Sequence, residues 1–263
     1  MLYQPLVNAL ILFYKIFGQN LGLAIIGLTV AIRGLLIPLT KPSLQAAKKM
    51  QQLAPELEAL KKRHKDNKQA LAQAQMDLYK QHGVNPAAGC LPQIIQIIIL
   101  IALFQAFNQV LRADGDIIDK LNAILYPSLQ LAKNTIINTR FLYLDLNKPD
   151  LIPLPFSFNL LNLKISSLPG IFLIASAVTQ FLSSKMMMPA IKKEAAVAKK
   201  TVTEEDDMAV MMQKQMLYMM PLMTLLIGFR FPSGLVLYWI TFSLFMLIQQ
   251  LTLKTNKTKK NHG

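Results

Sequence analysis

Between residues 21 and 39 the chain is apolar or small except for one charge, Arg33. About 19 residues is the length a helix needs to cross the hydrocarbon of a bilayer. A guanidinium at that depth costs at least about 2.5–3.5 kcal/mol on insertion scales, so it usually marks function. The run therefore predicts a membrane helix carrying an arginine that does not face lipid. Four further apolar runs follow, at residues 89–111, 168–187, 215–231 and 235–253. The fourth is short for a span, and a re-entrant segment is its alternative reading. The predicted fold class is an all-α membrane protein with five transmembrane helices, in one domain over residues 1–263. The composition agrees, with 53% hydrophobic residues, 16% charged residues and a mean hydropathy of +0.36. The lone cysteine, Cys90, excludes an internal disulfide.

The polar segments set the topology. Residues 40–89 hold nine Lys/Arg against four Asp/Glu. Leu44, Ala47, Met50, Leu53, Leu57 and Leu60 recur at helical spacing there, and Pro42 suits a first turn. A break at His64–Asn67 and a second periodic stretch ending before Gly83 predict a helical hairpin over residues 42–83. Its narrow apolar stripe implies few tertiary contacts. Residues 185–214 carry six basic residues and the tail, residues 254–263, four. The other polar segments carry Lys15, Arg230 and, in the loop 112–167, six basic residues offset by five Asp. Placing the richer side in the cytoplasm puts the N-terminus outside and the C-terminus inside. Residues 112–167 then form an extracytoplasmic loop of short interfacial or packed segments, and residues 188–214 a cytoplasmic one. The net charge of +14 favours anionic lipid surfaces or RNA-rich partners.

Residues 2–17 place Gln4, Asn8 and Lys15 on one stripe of an otherwise apolar helix. That pattern fits an interfacial amphipathic helix or, as readily, a helix packed on the bundle. No basic stretch precedes this segment and no small-residue cleavage site follows it, so it does not read as an ordinary signal peptide.

Arg33 has Thr29 one turn before it and Thr40 two turns after it. The five runs contain no acidic residue to pair with it, so a wet cavity is expected around the guanidinium. The alternative is an arginine that snorkels to the headgroups. Other spans offer polar lining: Gln96 and Gln105, Ser176 and Gln180, Tyr238 and Trp239. Each could instead be a hydrogen-bonding tie between helices. Ten of the fourteen methionines lie between Met186 and Met223. Such side chains suit a surface that accepts varied apolar partners, or simply adaptable packing. No phosphate-binding loop, metal-ligand spacing or nucleophile–base set is present, so no cofactor and no enzymatic activity are expected.

Several strings resemble one family. They are GLAIIGLTVAIR from Gly22 to Arg33 with IPL at Ile37, MQQLAPEL from Met50, GVNP from Gly83 and GCLP from Gly89. TQFL from Thr179, YMMP from Tyr218, FPSGLVLYW from Phe231 to Trp239 and IQQ from Ile248 complete the set. In order and over nearly the whole chain, these resemble the YidC/Oxa-type membrane protein insertases. The sequence is similar to the short bacterial form, without a lipobox or a large extracytoplasmic domain. The resemblance implies a five-helix core and a hydrophilic groove open to cytoplasm and lipid. Arg33, Thr29, Gln180 and Trp239 would lie in that groove. It implies nascent membrane proteins as substrates and the cytoplasmic hairpin as a contact for targeting factors. Expected partners are the ribosome through the basic tail, and the Sec translocase and the signal recognition particle or its receptor. A small-anion transporter or channel and an assembly factor for inserted helices are the competing classes.

Overall fold

The computed structural model of the chain describes residues 3–64, 67–85, 91–111, 116–160, 163–187 and 217–260. Helix α1 (Tyr3–Ile16) buries Val7, Leu10, Ile11 and Tyr14 against the two helices that flank it. Its polar stripe is docked onto backbone. Gln4 Nε2 donates to the Ile124 carbonyl at 3.1 Å, and Lys15 Nζ to the Gln130 carbonyl at 3.2 Å. Buried Asn8 donates to the same Ile124 carbonyl and accepts from Tyr126 N–H at 2.6 Å. Of the two readings open for this stripe, the structure takes packing on the bundle.

Asn20 opens α2 (Leu21–Gln52) by accepting the Leu23 N–H at 3.0 Å, an N-cap. The sequence predicts a break between the first span and the hairpin, but α2 runs unbroken through Pro38 and Pro42. Pro38 and Pro42 withdraw the N–H groups that would bond the Gly34 and Pro38 carbonyls, a loss that helices in an apolar bundle tolerate. Thr40, between the two prolines, donates to the Leu36 carbonyl at 2.9 Å. Helices α3 (Ala54–Arg63) and α4 (Lys68–Gln81) then pack against each other. Asn67 caps α4 by accepting the Ala70 N–H. Gly83, at φ +59°, ends α4 with Gly83 N–H on Lys80 O and Val84 N–H on Tyr79 O, the paired bonds of a Schellman turn. No side chain of α3 is buried.

Helix α5 (Leu91–Leu111) leans on α1 and is followed by α6 (Asp116–Asn122) and a 3₁₀ turn at Pro127–Leu129. The loop then departs from the all-α expectation. Strands β1 (Arg140–Phe141) and β2 (Leu144–Asp145) pair antiparallel, as do β3 (Leu151–Leu160) and β4 (Leu163–Pro169). The β3–β4 register is irregular between Pro153 and Phe158, where prolines withdraw donors from the ladder. Helices α7 (Ile171–Met187), α8 (Leu217–Gly228) and α9 (Ser233–Lys260) complete the described chain. A Cβ at Gly228 would overlap the Leu173 side chain, so glycine lets α8 approach α7 closely. Helix α9 packs on both α7 and α2 and continues through the expected tail to Lys260. The predicted loop 188–214, Cys90 and the methionines at 208, 211, 212 and 216 lie outside the described residues.

Among the described residues, Leu21–Met50 and Ser233–Thr252 are long and apolar enough to cross a bilayer. Ile95–Phe107, Ile171–Met186 and Leu217–Gly228 are shorter apolar helices. Exposed Val30, Leu35, Ile101, Val178, Leu226 and Ile248 leave an apolar outer surface of the kind lipid covers. One cluster centred on α1, α2, α5 and the start of α9 forms the buried core.

The β1–β2 loop pins the heads of three helices. Phe141 fills the notch left by Gly22 on α2. Asp150, 2% exposed, accepts the Leu173 N–H at 2.8 Å and the Tyr143 hydroxyl at 2.9 Å, at the start of α7. Ser233 N–H donates to the Lys148 carbonyl and Gly234 N–H to that of Leu146, so the loop satisfies the orphan donors that open α9. Burial pushes the Tyr143 hydroxyl pKa up. At Asp145 burial acts upward too, but the Asn147 N–H, the Thr139 hydroxyl and Lys148 outweigh it and hold the carboxyl below its usual range.

Candidate functional site

Arg33 sits four residues after Thr29 on α2, on the face turned to α5 and α9, and is 5% exposed. Its Nη2 donates to Gln96 Oε1 on α5. The Gln96 amide Nε2 donates in turn to the Tyr238 hydroxyl on α9 at 2.5 Å. The guanidinium carbon lies 3.7 Å from the ring centroid of Phe242, which stacks on Tyr238 one turn earlier. Three helices are thus joined through one cation, and every partner described is neutral. Around Arg33 the sequence leads one to expect water. The structure sets an amide carbonyl and an aromatic face against the guanidinium. Both can satisfy a guanidinium without a carboxylate.

The charge is therefore held but not neutralised. Two unit charges attract far more strongly in a low-dielectric interior than in bulk water. An arriving carboxylate would consequently gain more here than at the surface. What the described arrangement offers is recognition of an anionic group by a held cation.

The remaining predicted positions divide. Thr29 is buried, its hydroxyl turned to the Ile25 carbonyl at 2.6 Å. Ser176 is buried and bonds the Leu173 carbonyl of its own helix. Half-buried Gln180 accepts the Thr224 hydroxyl at 2.6 Å and ties α7 to α8. Trp239 is half-buried against the main core beside Tyr238. Gln105 is exposed and does not join the cluster. Arg33, Gln96 and Tyr238 are brought into one bonded set, with Thr29 one turn from it on the same helix.

Sequence reasoning missed Phe242 and a second polar tier. Gln250 Nε2 donates to Ser183 Oγ at 3.1 Å, and Gln249 Nε2 reaches Thr40 Oγ1 at 3.5 Å. These bonds tie α7, α9 and α2 at the other end of the bundle from the β1–β2 loop. A signal for Phe242 existed, since it follows Tyr238 by one helical turn and so shares its face.

Comparison with known proteins places the chain among relatives. The profile of the family described as 60Kd inner membrane protein matches residues 12–261. The chain is similar to Membrane protein insertase YidC 1 of Halalkalibacterium halodurans, 34% identical over 249 residues, covering 93% of this chain and 74% of that protein. It is similar to Membrane protein insertase MisCA of Bacillus subtilis, 31% identical over 98% of this chain and 79% of the relative. It also matches Membrane protein insertase YidC of Treponema denticola, 32% identical over 95% of this chain but only 36% of that longer protein.

Proposed function

This chain belongs to the 60Kd inner membrane protein family, and from that premise we propose that it is a membrane protein insertase that receives nascent helices beside Arg33. The observation that carries the reading is a buried cation held between α2, α5 and α9 by neutral groups alone among the described residues. The groove is lined by Arg33, Thr29, Gln96, Ser176, Gln180, Tyr238 and Trp239. It serves polar segments that must cross hydrocarbon, a transfer that is costly without hydrogen-bonding partners. Arg33 draws acidic residues of the translocating tail inward. The apolar helix of the substrate then leaves along α7 and α9 into lipid, and its burial there supplies the driving force. No covalent bond changes.

The orientation that fits has the N-terminus outside, the β1–β2 loop extracytoplasmic, and the α3–α4 pair and the C-terminus in the cytoplasm. There the α3–α4 pair meets targeting factors, the signal recognition particle or its receptor, and the Sec translocase stands alongside. The test is site-specific photocrosslinking to a stalled single-span nascent chain. Probes at 29, 180 and 239 are expected to give adducts, and a probe at Ile136, 85% exposed in the loop, none. Adducts only from position 136 would refute the reading.

The basic tail is proposed to touch ribosomal RNA. Deleting residues 254–263 removes four lysines. Neutralising phosphates releases counterions, so each contact contributes to the salt dependence of binding. Ribosome affinity of the truncated protein is expected to fall about tenfold at low salt, with a shallower salt slope. Cosedimentation across a salt series measures both, and an unchanged slope would count against the contact.

A further inference from the structure

We infer that Gln96 is a displaceable occupant of the carboxylate site on Arg33, so that substrate charge, by evicting it, parts α5 from α2. The inference rests on the reading of Arg33 as the groove cation. Gln96 Oε1 takes the place on Nη2 that a substrate carboxylate oxygen would take. It is a neutral acceptor, whereas a carboxylate adds to the same hydrogen bond a charge–charge attraction that the buried setting screens little. An acidic tail therefore outcompetes the amide, and an uncharged tail does not.

The geometry also provides somewhere for the evicted amide to stay. Gln96 Nε2 is already bonded to the Tyr238 hydroxyl, so the side chain remains tied to α9 when its carbonyl is released. Arg33 keeps its contact with Phe242, also on α9. The only bond of the set that breaks is the one between α2 and α5. Helix α5 packs chiefly on α1 and only lightly on α2, so that bond is a large part of what joins the two near Arg33. Gln96 is thus a positioning and specificity residue: it sets how much negative charge a tail must carry before the α2–α5 seam opens.

The test compares a single-span substrate with an acidic tail and the same substrate with the acids changed to their amides, in proteoliposomes. Gln96→Glu installs a tethered carboxylate in the same place. The ratio of acidic-tail to neutral-tail insertion is expected to fall about tenfold, toward one, because the tether outcompetes the tail. Gln96→Leu frees the guanidinium without adding charge and is expected to leave the ratio at or above the wild-type value. A purely structural role predicts the reverse order, with the glutamate variant keeping the bridge and the preference.

A second readout is independent of insertion rate. Spin labels at Val30 on α2 and Ile97 on α5, both exposed, should move apart when the acidic-tail chain is stalled on the wild type. They should stay in place with the neutral tail or in Gln96→Glu. A preserved ratio in Gln96→Glu, or an unchanged label distance in the wild type, overturns the proposal. Arg33→Ala run beside them separates the levels. If that variant keeps the acidic-tail preference, the groove cation reading itself falls. If it loses the preference while Gln96→Glu keeps it, only the role of Gln96 falls.

Discussion

Arg33→Ala is expected to lower insertion of a single-span substrate with an acidic translocated tail by roughly 10- to 150-fold. That range follows from the 1.5–3 kcal/mol of one hydrogen bond to a charged group. Two effects act in the same direction. The substrate loses its cation, and Gln96 Oε1 and the face of Phe242 lose their occupant. Arg33→Lys separates them. Lysine keeps the charge and reaches an amide oxygen or an aromatic face, but has no planar fork. Its insertion rate is expected within about fivefold of wild type. Reconstituted vesicles with protease protection of the tail measure all three proteins. Full activity of the alanine variant with several acidic substrates would remove the charge from the mechanism.

The second large effect is on stability and lies far from Arg33 in sequence. Asp150 is nearly inaccessible and accepts the Leu173 N–H and the Tyr143 hydroxyl at the head of α7. A carboxylate there also meets the positive end of the helix dipole. Gly170, where a Cβ would overlap the carboxylate, leaves room for it. Asp150→Ala strands the buried Leu173 N–H, leaves the exposed Tyr143 hydroxyl to water and removes the cap, and about 2 kcal/mol is expected to be lost. Asp150→Asn keeps an acceptor for Leu173 N–H and should lose about 1 kcal/mol. Thermal unfolding of purified protein in nanodiscs ranks the variants, and hydrogen exchange at Leu173 should quicken in the same order. An alanine variant within about 0.5 kcal/mol of wild type, the range of ordinary surface substitutions, would mean the cap is not a major support.

Features carried by local spacing were legible in the sequence. The lone charge of the first apolar run, the turn at Asn67 and the stop at Gly83 are all read within a few residues. The partners of Arg33 are 63 and 209 positions away along the chain, on Gln96 and Phe242. Polarity alone could nominate Gln96, whereas Phe242 among thirteen phenylalanines could be reached only through Tyr238, one turn before it on the same face. Gln105 illustrates a signal that was present and unused. It follows Gln96 by nine residues, and at about 100° per residue the two lie on opposite sides of α5. Both could not face one arginine. The continuous α2 misled for a different reason: prolines break helices in water more often than in an apolar bundle, and Pro38 and Pro42 sit inside one here. Asp150 was hidden by its setting in a loop with five aspartates and six basic residues, where one acid looks like any other.

The loop that crosses the heads of α2, α7 and α9 has a mechanical consequence. At that end α9 is fastened by backbone amides on backbone carbonyls, and α7 by a buried carboxylate. At the opposite end the same helices meet through neutral side chains, Gln250 on Ser183 and Gln249 on Thr40. Bonds of the second kind exchange with those a passing peptide offers, and bonds of the first kind do not. The bundle is therefore a pair of tongs with its rivet on the loop side. On the proposed insertion reading it opens at the jaws, and the farther from the rivet a guest enters, the less force it needs to make room.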